Sequence, residues 1–156
     1  MCKFQKFNNT IARQLNMILY SPDMSVFTQG ELEDETEFGL YFIMQGYCQA
    51  EIQTSKCIYS NEFPLVKGEH FGEISCLFDC KRTATITSKS YNIIGMLNHK
   101  KFSYLMIDYP EYKRELLCHV YKYSDPYKTM FKTAFLKMIY FNPKMIIPTG
   151  LKDEQN

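Results

Sequence analysis

Several features that would announce a function are missing from this sequence. Its 156 residues carry a net charge of only +1, so there is no electrostatic excess to draw nucleic acid or an anionic membrane surface. No run approaches the ~18 consecutive apolar residues of a bilayer-crossing helix. The opening Met1-Cys2-Lys3-Phe4-Gln5-Lys6 holds no apolar stretch of the kind a secretory leader needs. The three histidines, His70, His99 and His119, are scattered without metal-ligand spacing. The six cysteines, Cys2, Cys48, Cys57, Cys76, Cys80 and Cys118, fall at irregular intervals with no Cys-x-x-Cys, which reads as reduced intracellular thiols. There is no Walker-type loop, no nucleophile with a base partner and no pair of carboxylates at a plausible site, so catalysis is not expected.

What is present fits one folded domain. A hydrophobic content of 46% against 22% charged residues is that of a globular chain with a real core. Phe4, Phe7, Ile11, Leu15, Ile18 and Leu19 lie near helical spacing and predict an amphipathic helix within residues 1–20. It should end before Ser21-Pro22, because a residue preceding proline avoids the α region. Residues 21–31 read as a turn, a short strand and a second turn. The acidic run Glu31, Glu33, Asp34, Glu35 and Glu37 is expected to be a solvated loop rather than a metal site. Gly39-Leu40-Tyr41-Phe42-Ile43-Met44-Gln45-Gly46 predicts an apolar strand ending at a glycine turn, with Tyr47 to Ile52 as its hairpin partner. Residues 55–62 read as a polar loop. Gly68 is a further turn residue, and Tyr91 to Leu97 a further strand. A helix is expected from Asn98 to about Asp108, and after Pro110 another from Glu111 to Tyr123, with Leu116, Leu117, Val120 and Tyr121 at helical spacing. Many short strands between terminal helices predict an α+β, mainly β chain: an antiparallel jelly roll (a double-stranded β-helix) flanked by N- and C-terminal helices.

The chemistry concentrates in Phe71-Gly72-Glu73-Ile74-Ser75, six further residues, and Arg82-Thr83-Ala84-Thr85-Ile86. A glycine before a helical turn lets backbone amides approach a ligand closely. The amides at a helix start favour an anion. An arginine offers a planar fork matched to phosphate. A carboxylate accepting from sugar hydroxyls beside that fork would together read a sugar phosphate. The alternating, β-branched residues after Arg82 place it at the mouth of a strand.

This ordered set resembles the phosphate-binding cassette of the cyclic nucleotide-binding domain family. The likeness is greatest to cyclic-nucleotide-gated and hyperpolarisation-activated channels, in which a threonine also follows the arginine, and it spans roughly residues 15–123. The resemblance implies the jelly-roll fold and a ligand, cAMP or cGMP, bound without chemical change and without a cofactor or metal. Glu73 would accept from the ribose 2′-hydroxyl, Arg82 would pair with the phosphate, and the amides after Gly72 would complete the cradle. Ser75 and Thr83 would add hydroxyl donors. Phe71 and Ile74 flank the cassette glycine and glutamate, and Phe63 and Leu65 would form pocket wall, with barrel core as their other role. A threonine donor makes cGMP permissible without excluding cAMP. The implied parent is a membrane-embedded channel carrying this domain on its cytoplasmic side, in a family whose channels gather such domains as homotetramers, with no nucleic-acid partner. A cyclic-nucleotide-dependent kinase, or a nucleotide-free assembly module of the same fold, is the alternative.

The chain departs from the pattern where the family places its lid helix. Ser124-Asp125-Pro126 interrupts the helix, at a cost of about 3 kcal/mol for an interior proline, and reads instead as a cap and a fresh start. The lid is therefore expected to be short or bent, with Tyr121, Tyr123 or Tyr127 either on the purine or in the core. The expected division is a binding domain over residues 1–123. Residues 124–156 then hold a helix to about Phe141 and a loose tail, or the start of a further domain. The first methionine falls where the family's opening helix would be finishing, which suggests a piece of a longer protein.

Overall fold

Strands whose side chains alternate between apolar and polar must cover their apolar faces, and here two antiparallel sheets do so against each other. The computed structural model describes residues 3–31, 38–53, 55–61 and 63–122. In chain order the elements are α1 (Lys3–Gln14), β1 (Asn16–Tyr20), β2 (Ser25–Phe27), β3 (Gly39–Gln45), β4 (Tyr47–Gln53), β5 (Ile58–Ser60), β6 (Leu65–Val66), β7 (His70–Phe71), α2 (Glu73–Phe78), β8 (Thr85–Ser88), β9 (Asn92–Asn98), α3 (His99–Asp108) and α4 (Pro110–Lys122). One sheet has the order β1-β9-β3-β7; the other runs β2-β8-β4-β5, with β6 also on β4. This is the jelly roll with flanking helices that the alternation predicts.

Three local expectations are corrected. The predicted helix of residues 1–20 stops at Gln14, and residues 16–20 form a strand paired with β9 from Asn16↔Met96 to Tyr20↔Asn92. Ladder bonds and the fit of Ile18 and Tyr20 against the core outweigh a helical spacing that Leu15, Ile18 and Leu19 continue beyond α1 only by coincidence. The expected β3–β4 hairpin does not exist, because β3 pairs with β7 and β9 whereas β4 pairs with β5, β6 and β8. Gly46, at φ 89, turns the chain from one sheet into the other instead. A Cβ there would run into Asn92 Oδ1 and Ser90 Oγ, so the crossing needs glycine for space as well as conformation. Asn92, 1% exposed, fastens the crossing by donating from Nδ2 to Tyr47 O (2.9 Å), Ser90 O (3.1 Å) and Ser88 Oγ (2.6 Å). Finally, the loop expected over 55–62 contains β5, whose residues Ile58, Tyr59 and Ser60 pair with Gln53, Ile52 and Glu51.

Phe27, Tyr41, Ile43, Cys48, Phe71, Ile86, Ile94 and Met96 form the core, with Ile18, Tyr20, Val26, Ala50 and Leu65 packed against it. At the C-terminal end of α1, Lys101 Nζ donates to Gln14 O at 3.2 Å, answering an orphan carbonyl with a cation. Asn98 caps α3, its Oδ1 accepting from the Lys100 amide at 2.9 Å. The chain divides into two units at Leu105/Met106. In the second, α4 opens with Pro110 and Glu111, residues suited to a helix start. The acidic residues Glu33 to Glu37, the interruption at Ser124-Asp125-Pro126, Tyr123, Tyr127, the helix expected to about Phe141 and the tail lie outside the described residues. So does the expected domain boundary at 123/124.

Candidate functional site

Gly72 stands between β7 and α2 at φ 85, ψ 4, the left-handed region. Its lack of a side chain is required on two counts. Besides the conformation, an added Cβ would lie 2.8 Å from Arg82 Nη1, 3.0 Å from Gly39 O and 3.3 Å from Tyr41 Cδ2. Arg82 thus packs against the backbone of the cassette glycine. Its Nη1 donates to Gly39 O at 3.2 Å and reaches Gly72 O at 3.5 Å.

Glu73 opens α2, where its negative charge suits the helix dipole. The carboxylate residue is 3% exposed and Arg82 is 2% exposed. Removing a charge of each sign from water costs several kcal/mol per ion, so two of them beside one glycine are poor economy for a fold that needs only stability. Ser75, buried on the same helix, donates from Oγ to Lys81 O at 3.4 Å, while its carbonyl accepts from the amides of Asp79 and Cys80. These contacts close the loop between α2 and Arg82. Asp79 ends the helix at φ 52. The backbone of Arg82 is anchored from the opposite side: its amide donates to Glu31 O at 3.1 Å and its carbonyl accepts from the Gly30 amide at 2.8 Å.

The remaining expected residues are distributed as follows. Phe71 is 5% exposed and lies parallel to Tyr41, with centroids 5.3 Å apart. Ile74 is buried on α2, Thr83 is half-buried, and Leu65 is half-buried against the core. Phe63 is 75% exposed. The structure therefore gathers Phe71, Gly72, Glu73, Ile74, Ser75, Arg82 and Thr83 on one cassette and leaves Phe63 in solvent.

Sequence reasoning missed the rings around the arginine. The guanidinium carbon lies 4.0 Å from the centroid of Phe27, 4.6 Å from Phe38 and 5.3 Å from Tyr41. These rings come from β2, from the residue before β3, and from β3, and no local pattern links such distant positions to Arg82. Phe38 continues the contact: its ring meets His99 edge-on at 4.9 Å and its carbonyl accepts from the His99 amide at 2.8 Å. His99 Nε2 lies 3.6 Å from Asp79 Oδ1. Burial also pushes the thiol of Cys80, beside this loop, up to about 11. Among the described residues no cluster of His, Cys, Asp and Glu could hold a metal ion, and no helix is long and apolar enough to cross a membrane.

No family model matches the chain, and no curated protein matches it. Solved structures do. The chain superposes on the catabolite activator protein of Thermus thermophilus with a TM-score of 0.64 at 18% identity, covering 87% of this chain and 59% of that one. It superposes on the regulatory domain of Toxoplasma gondii PKA, crystallised with cAMP, with a TM-score of 0.61 at 20% identity, covering 73% of this chain and 41% of that one. The chain thus spans less than two thirds of either protein's length. At these identities the likeness is one of fold: the antiparallel jelly roll with flanking helices.

Proposed function

We propose that this chain is a regulatory module that binds a cyclic nucleotide, cAMP or cGMP, without transforming it. The observation that carries this reading is the burial of Arg82 against the backbone of Gly72, one residue before the buried Glu73. A fork of donors, a glycine that clears their approach and a carboxylate suit the cyclic phosphate and the ribose 2′-hydroxyl respectively. Amides following Gly72 and the hydroxyls of Ser75 and Thr83 would add donors. Two neighbours in fold support the reading, one of them crystallised with cAMP. Binding would favour one position of the helices after residue 98, and the output can be no larger than the ligand's differential affinity for the two states.

The parent we favour is a cyclic-nucleotide-modulated channel with this module on its cytoplasmic side, a choice supported by Thr83 directly after Arg82. A kinase regulatory subunit or a catabolite-activator-like protein suits the fold equally. A second reading, a nucleotide-free assembly module, is favoured by one observation: the arginine already serves two carbonyls and three rings.

Calorimetric titration with cAMP and with cGMP separates the two. The expected result is micromolar binding that is severely weakened in Arg82→Ala and not restored by Arg82→Lys, since a point charge cannot replace the fork. A folded sample that shows neither heat nor a thermal shift with either nucleotide establishes the assembly module instead.

A further inference from the structure

Arg82 is well placed to meet a phosphate and, at 2% exposure, closed to one. Something must yield before any anion reaches it. Of the three rings on its guanidinium, Phe27 belongs to β2 and Tyr41 to β3, both held in sheet ladders and in the core. Phe38 belongs to no strand. It immediately precedes β3, is 9% exposed, and leans with its edge contact on His99, the first residue of α3.

We infer that Phe38 is the positioning residue that controls access to Arg82. Its ring holds the guanidinium in the closed position and has to withdraw before phosphate can bind. The inference rests on the cyclic-nucleotide reading and adds the step by which that site opens. Phe38 sits between the phosphate-binding arginine and the helix that would carry the response. Through its ring and its carbonyl it touches His99, and His99 in turn lies beside Asp79 at the end of the cassette helix. Withdrawal of the ring from Arg82 would therefore disturb the first turn of α3 directly. A cation–π contact that closes the site competes with the ligand, so removing it should strengthen binding, the reverse of what loss of a packing residue normally does.

The test uses the whole chain and two variants, Phe38→Ala and Phe38→Leu, the second keeping apolar bulk without a ring. Phenylglyoxal labels accessible guanidinium groups, and mass spectrometry reads each arginine separately. In the wild-type protein Arg82 should label far more slowly than Arg13 and Arg114. In the variants its rate should rise at least several-fold while Cys48, fully buried, stays closed to thiol reagents, which excludes global unfolding as the cause. Affinity for cAMP or cGMP should rise by about tenfold, the factor that a partly desolvated cation–π contact of about 1.4 kcal/mol carries. Equal labelling of Arg82 in wild type and both variants, or weaker nucleotide binding in both, overturns the gate while leaving the nucleotide site standing. Absence of binding in all three proteins overturns the functional reading itself, and labelling then still decides whether Phe38 covers Arg82.

Discussion

At Gly72 two requirements meet in one residue, and substitution there should be felt in stability and in binding together. Gly72→Ala must hold an L-residue at φ 85 and place a methyl group 2.8 Å from Arg82 Nη1. Strain of this kind costs about 1–3 kcal/mol, so thermal unfolding should begin several degrees lower, and calorimetry should show nucleotide affinity falling as Arg82 is pushed aside. The buried thiols give a second handle. Burial raises both Cys48 and Cys80 from the ordinary 9.0 to about 11. Above about pH 9 the unfolded chain sheds these protons while the folded chain keeps them. Their contribution to stability is therefore complete below that value and declines toward pH 11, which urea unfolding across an alkaline series will register. At neutral pH a thiol reagent should label exposed Cys57 quickly and Cys48 only on unfolding. The cassette was readable at this scale because Gly72, Glu73 and Arg82 lie within one short stretch. Phe27, Phe38 and Tyr41 were not, because they reach Arg82 only through the fold.

Elements were legible where the side-chain period was sustained and misread where a short run satisfied two periods at once. Strand β9 runs without a polar side chain from Ile93 to Leu97 and is paired on both sides, to β1 and to β3, so its identity was clear from Tyr91 to Leu97. Residues 16–20 could sit on a helix face or in a ladder, and only β9, far along the chain, decides between them. Likewise a strand, a glycine and a second strand suggest a hairpin, whereas Gly46 passes the chain between sheets. The clasp at that crossing makes a prediction about the two sheets. Asn92→Ala removes three donated hydrogen bonds, and although the Lys89 amide still answers the Tyr47 carbonyl and the Ser88 hydroxyl the Ser90 carbonyl, each lost bond should cost about 0.5–1.5 kcal/mol. Chemical denaturation should show a lower midpoint, with amides of β4 and β9 losing hydrogen-exchange protection first. Within β9 itself, Ile94→Ala empties a fully buried position and should cost about 2–5 kcal/mol by the same measurement.

For the molecule as a whole, the jelly roll was legible because alternation, glycine turns and flanking helices all favoured it. Strand partnership was less legible, since it depends on residues far apart in sequence. That remoteness governs how the protein comes to exist. The first strand, β1, lies beside the last, β9, and β2 lies beside β8, so each sheet joins an early segment to a late one. A growing chain emerging from the ribosome can finish one sheet only once β8 is out and the other only once β9 is out. Folding must wait, then proceed at the millisecond-to-second pace of strand pairings that close long loops. During that wait Tyr41, Ile43 and Ile86 stand uncovered, so arrested nascent chains ending before Asn92 should remain protease-sensitive and recruit chaperones, while chains carrying β9 clear of the exit tunnel should resist digestion.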